Sequence, residues 1–226
     1  MASEVDICNL ALAHLGDSAT VASINPPEGS AQAEMCQRFY PIARDSLLEM
    51  HNWGFATRRK PLAQLNNTSK QWKYAYIIPG DMQTALSVIP PDAEDDYSTS
   101  FYPSDSPVWG QNFLPAVAAG QYVPQPYTIE TDTSGNLVIL TNLEKAVLRY
   151  QARVTDTTKF SALFTVTLSW HLAGMLAGPV IKGDAGQAEA KRCGQMMAAY
   201  LLQASANDSN QRKINVEHIV PWTSGR

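Results

Sequence analysis

Two stretches with helical periodicity, residues 3–50 and 157–206, stand at opposite ends of the chain and enclose roughly a hundred residues patterned as strands and turns. An amphipathic helical pair must bury its apolar stripe against another element. The layout therefore predicts a bundle of about four helices closed by both ends of the chain. The expected class is α+β: a discontinuous bundle from residues 1–56 and 155–207, an inserted antiparallel β-rich module at 57–154, and an extended C-terminal tail at 208–226. Nothing in this order converges on a catalytic centre. A bundle that carries a β module outward suits an assembly part.

The first helix is signalled by Ser3 as cap with Asp6 three residues on, by Val5, Cys8, Leu12 and Leu15 at 3-4-3 spacing, and by Gly16 as a left-handed stop. Residues 25–29, Asn-Pro-Pro-Glu-Gly, form a turn, and Ser30 caps a second helix with an inner face of Cys36, Phe39, Ala43, Leu47 and Met50. Pro41 lies inside that pattern, which predicts a kink near Tyr40 or two shorter helices. From Thr57 the period shortens. Trp72, Tyr74 and Tyr76 alternate with Lys73, Ala75 and Ile77 up to a Pro79-Gly80-Asp81 turn, and residues 86–89 suggest another strand. Residues 90–126, rich in Pro, Ser, Gly and Asp, read as a long loop that serves as a functional arm or is ordered by a neighbour. Residues 127–131 and 136–141 flank Asp132-Thr133-Ser134-Gly135 as a hairpin, and 145–154 continues it as the third strand of a meander. The third helix, about 158–177, is apolar all round and so central, with a break at Gly178-Pro179. The fourth opens at Asp184 with Gln187 as its capping pair and buries Cys193, Met197, Tyr200 and Ala204.

Composition narrows the function. A hydrophobic share of 45% is that of a folded chain. A net charge of −4 argues against sequence-independent DNA binding, which needs a basic surface to displace phosphate counterions. The local cluster Arg58, Arg59 and Lys60 reads as a solvated strand or loop edge. Cys8, Cys36 and Cys193 are odd in number and sit in helical patterns, as buried thiols in a reducing compartment do. The N-terminus lacks the basic and apolar regions of a secretory signal. Residues 160–181 hold no Asp, Glu, Lys or Arg and are long enough to span a bilayer. Their Ser, Thr and His content favours an enclosed bundle helix, so no membrane is expected.

Catalytic constellations are weak. Four histidines (His14, His51, His171 and His218) are at least 37 residues apart and form no metal-ligand motif. No GxSxG marks a nucleophile, and no glycine-rich loop awaits phosphate. Asp92, Glu94, Asp95 and Asp96 read first as a solvated acidic turn. No catalytic, metal or cofactor residue is assigned, and the protein is not expected to be an enzyme. The alternatives are a virion-associated cell-wall hydrolase, using Glu49 or the 92–96 cluster as acid, and a membrane protein using 160–181.

Ile7-Cys8-Asn9-Leu10-Ala11-Leu12-Ala13-His14-Leu15-Gly16, followed by Ile24 and Gln32-Ala33, resembles the opening of the tail tubular protein A family of phage head-to-tail adaptors. So do Arg44-Asp45 through Leu48, Asn52-Trp53-Gly54-Phe55-Ala56 and Arg59-Lys60-Pro61-Leu62-Ala63. Trp72-Lys73-Tyr74-Ala75-Tyr76 and Pro79-Gly80-Asp81 are similar to the start of that family's β-rich portion. The resemblance spans most of the chain and is sharpest over the first 81 residues. It implies a podophage-type neck protein of the virion, assembled in the bacterial host cytoplasm. About twelve copies would close a homo-oligomeric ring between the portal protein and the tail tube or nozzle protein. Double-stranded DNA would pass through without specific binding, past a lumen whose negative bias repels phosphates. On this reading the apolar tail, with Val216, His218, Ile219, Val220 and Trp222, meets the portal. Asp92, Glu94, Asp95 and Asp96 meet the channel or the tail ring.

Overall fold

The computed structural model describes residues 2–18, 20–67, 69–91 and 125–211. Among them are four α-helices and seven strands: α1 Glu4–His14, α2 Ala31–Glu49, β1 Thr57–Pro61, β2 Gln64–Leu65, β3 Tyr74–Ile77, β4 Met82–Ile89, β5 Tyr127–Thr131, β6 Leu137–Thr141, β7 Val147–Ala152, α3 Ala162–Ile181 and α4 Gly183–Asn210. The class is α+β, with two antiparallel sheets. The described residues divide into two compact units, one from 2–57 with 151–211 and the other from 58–150.

In the first unit, α1 begins with a reciprocal capping box: the Asp6 N–H donates to the Ser3 hydroxyl oxygen, and the Ser3 N–H donates to the Asp6 carboxylate. It ends in a Schellman turn. Gly16, at φ 74°, donates to the Ala13 carbonyl, and Asp17 donates to that of Leu12. Ile7, Cys8, Ala11 and Leu12 of α1 share one core with Ala33, Cys36, Tyr40, Ala43, Leu47 and Leu48 of α2. Packed against α1, α2 and α4, α3 contributes Phe164, Leu168, Leu172, Ala173 and Leu176 to that core. It is the central helix its composition predicted.

Several expectations are corrected here. Helix α2 runs unbroken through Pro41. It is one helix and not two shorter ones; the proline lies on the exposed side, while Tyr40, Ala43 and Arg44 around it are buried. Likewise α3 continues through Pro179 to Ile181; the reversal comes at Lys182, with φ 62°. Asp184 is not a cap. It lies in the first turn of α4, where its charge faces the positive end of the helix dipole, and Lys182 precedes the helix without a side-chain cap bond. The crossing of α3 and α4 needs glycine at 186, where a Cβ would stand 3.0 Å from the Ala177 carbonyl oxygen. The third helix starts at Ala162 because residues 157–159 are taken up by a short 3-10 turn. At the other end α4 reaches Asn210, beyond the expected tail boundary at 208, because Asp208 is buried and bonded. Met50, placed on the inner face by periodicity, is 46% exposed beyond the last turn of α2.

The second unit holds a four-stranded sheet of order β2-β3-β6-β5. Tyr76 pairs with Ile139 and Ile129 with Ile139 across its centre. The β5–β6 hairpin closes as predicted, with Asp132 accepting from Gly135 and donating to Asn136 through its main chain. Strand β7 is not a third meander strand. Both edges of β6 are already taken by β3 and β5, so β7 becomes the middle of a separate sheet, β1-β7-β4. Buried on both faces through most of its length, it suits that central place. Strand β4 starts at Met82, earlier than its apolar residues alone suggested. The Arg58-Arg59-Lys60 stretch falls on edge strand β1, where charge and the terminal Pro61 discourage pairing with another sheet.

Candidate functional site

Every site residue expected from sequence (Asp92, Glu94, Asp95, Asp96, Val216, His218, Ile219, Val220 and Trp222) lies outside the described residues. Glu49, the alternative acid, is exposed at the end of α2. The structure instead gathers polar groups within the helical unit that no local motif announces.

Two Ser–His pairs are the first of these. His14 Nε2 lies 3.0 Å from Ser169 Oγ, and His171 Nε2 lies 2.8 Å from Ser46 Oγ. Each serine is also aimed at a helix carbonyl one turn back, Ser169 at Val166 (2.8 Å) and Ser46 at Ala43 (3.1 Å). A hydroxyl has one proton to give. When it goes to the carbonyl, the imidazole N–H must be the donor to the serine, the reverse of what an activated nucleophile needs. Among the described residues no carboxylate bonds either ring to orient it as a base. Burial depresses the pKa of both histidines, and the nearby Arg192 cation adds to the effect at His14. Both are neutral spacers that satisfy serines inside a helix bundle. Their partners are 155 and 125 residues away in sequence, so periodicity gives no sign of them.

His14 also stacks on Trp170, centroids 3.6 Å apart, with Arg192 over the same indole at 5.2 Å. Arg192 binds Glu189 through Nε and donates to the His14 carbonyl, which holds the Glu189 carboxyl below its ordinary range. At the far end of α4, Asp208 accepts the Gly54 N–H at 3.0 Å and faces His51 at 3.4 Å. This is a helix tied to a turn. The three cysteines are buried free thiols, and burial, chiefly, raises that of Cys193. Among the described residues no group of three or more His, Cys, Asp or Glu could hold a metal ion.

The remaining feature is a cleft of about 380 Å³ in the helical unit. It is lined by Glu4 of α1, by Ile24 and Asn25 of the loop that follows, by Gln37, Tyr40, Pro41 and Arg44 of α2, and by Thr155. Arg44 is 7% exposed and binds Asp45 Oδ1 through Nε and Nη2, both at 2.8 Å; Arg153 takes the other Asp45 oxygen at 3.1 Å. The Tyr40 hydroxyl is buried with no hydrogen-bond partner among the described residues, and burial, helped by Glu4, pushes its pKa up. It stays protonated and able to donate.

No protein-family model matches the chain, and no curated protein matches it either.

Proposed function

We propose that the protein is a structural virion component, a head-to-tail adaptor whose copies close a ring between the portal protein and the tail tube or nozzle, continuing the DNA channel. One observation supports this most directly: many of the residues that carry the family resemblance are core residues or make specific hydrogen bonds within their own unit. Within the opening motif, Ile7, Cys8, Ala11 and Leu12 are core. Asn9 clamps Val21 by bonding both its N–H (2.8 Å) and its carbonyl (2.9 Å). His14 engages Ser169, and Gly16 closes the Schellman turn. In the later motifs, Trp53 Nε1 donates to the Leu47 carbonyl at 3.0 Å, and Gly54 donates to Asp208. Asp81 accepts from Tyr150 (2.9 Å) and Arg58 (2.6 Å). A match that includes such positions is a match of architecture, the property an assembly part passes on.

The mechanism is mechanical. Head-to-tail packing of identical chains gives a closed ring when the rotation closes. A charge of −4 per chain, multiplied around a ring, supplies a negative bias past which DNA phosphates slide. Purified protein mixed with portal should form rings on it by negative-stain imaging and sediment as a single large species. A monomer that ignores portal at high concentration defeats the proposal.

A further inference from the structure

Cys8 of α1 and Cys36 of α2 are fully buried free thiols in the core that the two helices share. Their side chains meet: the Cys8 S–H donates to the Cys36 sulfur, which keeps Cys8 protonated and lowers the Cys36 thiol. The helix register agrees with this contact. Glu4, one turn before Cys8, and Tyr40, one turn after Cys36, line the same cleft, so the turns of α1 and α2 match in opposite directions. Cys193 is the contrast. It is equally buried, but its sulfur meets the Glu189 carboxylate at 3.8 Å rather than another thiol.

A single buried cysteine is a small hydrophobe. Two sulfurs in contact across neighbouring helices also hold the starting arrangement of a disulfide, a bond that tolerates only a narrow geometry. We propose that Cys8 and Cys36 form a dithiol site that a small peroxide converts to a disulfide, fixing α1 to α2. The peroxide reaches the sealed pair in transient openings of the short helix α1. The Cys36 thiolate attacks one peroxide oxygen; an S–O bond forms, the O–O bond breaks, and the departing hydroxide takes the Cys36 proton as water. The Cys8 sulfur then attacks the Cys36 sulfenic acid; the S–S bond forms, the S–O bond breaks, and the hydroxide leaves with the Cys8 proton as a second water. The two thiols lose two electrons and hydrogen peroxide gains them. The link closes the chain from residue 8 to residue 36 and so restricts the unfolded state. The inference does not depend on the adaptor reading.

The test is to treat the folded, full-length protein with hydrogen peroxide, block the remaining thiols with iodoacetamide, and map its peptides without reductant. The peptides holding Cys8 and Cys36 should appear joined, about 2 Da lighter than their sum, and dithiothreitol should separate them. Cys193 should still alkylate. The linked protein should melt about 5–10 °C higher than the reduced one. Cys193→Ser should link as the parent does, and Cys36→Ala should leave Cys8 unlinked. The parent and Cys193→Ser decide the matter even where Cys36→Ala fails to fold. Three alkylatable thiols after treatment overturn the proposal, as does a link through Cys193 or oxidation to sulfinic acid without a link. A linked protein that melts lower than the reduced one overturns it too, since the folded helices would then not hold the sulfurs in bonding geometry.

Discussion

Burial keeps His14 and His171 neutral, and that choice of protonation state makes stability depend on pH. Both folded-state pKa values lie below the ordinary imidazole value of 6.5. The unfolded chain therefore takes up protons first as pH drops below 6.5, and stability falls until the folded-state values are reached. Above 6.5 this contribution is fully present and flat. The melting temperature should therefore be lower at pH 5.5 than at pH 7.5, and the double variant His14→Gln/His171→Gln should lose less over that interval. An equal loss in the variant would place the effect elsewhere. Asp6, Asp156 and Glu189 do not confuse the test: their depressed values, set chiefly by Ser3, Thr158 and Arg192 respectively, act in the lower carboxylate window. None of the histidine pairings could be read from sequence. A serine in a helix shows its own spacing but not which ring, more than a hundred residues on, will fill its bond.

Among the elements, legibility follows the range of the interactions that set them. Ser3 with Asp6, Ser30 and the Asp132–Gly135 turn act over a few residues, and each stands where the pattern put it. Neither Pro41 nor Pro179 divides its helix, because a local penalty of one lost hydrogen bond is outweighed by packing on both sides, which no local window contains. The place of β7 misled for a similar reason: whether β6 had a free edge was settled by β3, some sixty residues earlier. The end of α4 is also set at long range, by Asp208 on the Gly54 N–H, 154 residues back in sequence. Asp208→Ala strands that donor and should cost about 1–3 kcal/mol. In urea the unfolding midpoint should drop with its slope unchanged. A midpoint equal to that of the parent would leave the length of α4 without this explanation.

For the molecule as a whole, the relevant question is how an insertion of this size leaves the helical unit intact. The chain leaves that unit at Thr57 and re-enters it at Gln151, and these two junctions touch: Thr57 Oγ1 donates to Gln151 Oε1 at 3.2 Å. Gln151 is anchored further by donating to the carbonyls of His51 and Trp53, both at 3.2 Å. Insertion ends that lie together need not strain their host, since closing a loop costs little more for a long excursion than for a short one. Replacing residues 58–150 by a short Gly/Ser linker should therefore leave a folded helical protein. Its core of Leu12, Leu47, Leu168 and Leu172 stays whole, because every one of those residues belongs to the retained segments. The excised protein should keep a helical circular-dichroism spectrum and melt in one cooperative transition without binding a hydrophobic dye. A dye-binding product with a broad melt would mean that the helical unit borrows its order from the insertion, and the two-unit description would fall with it.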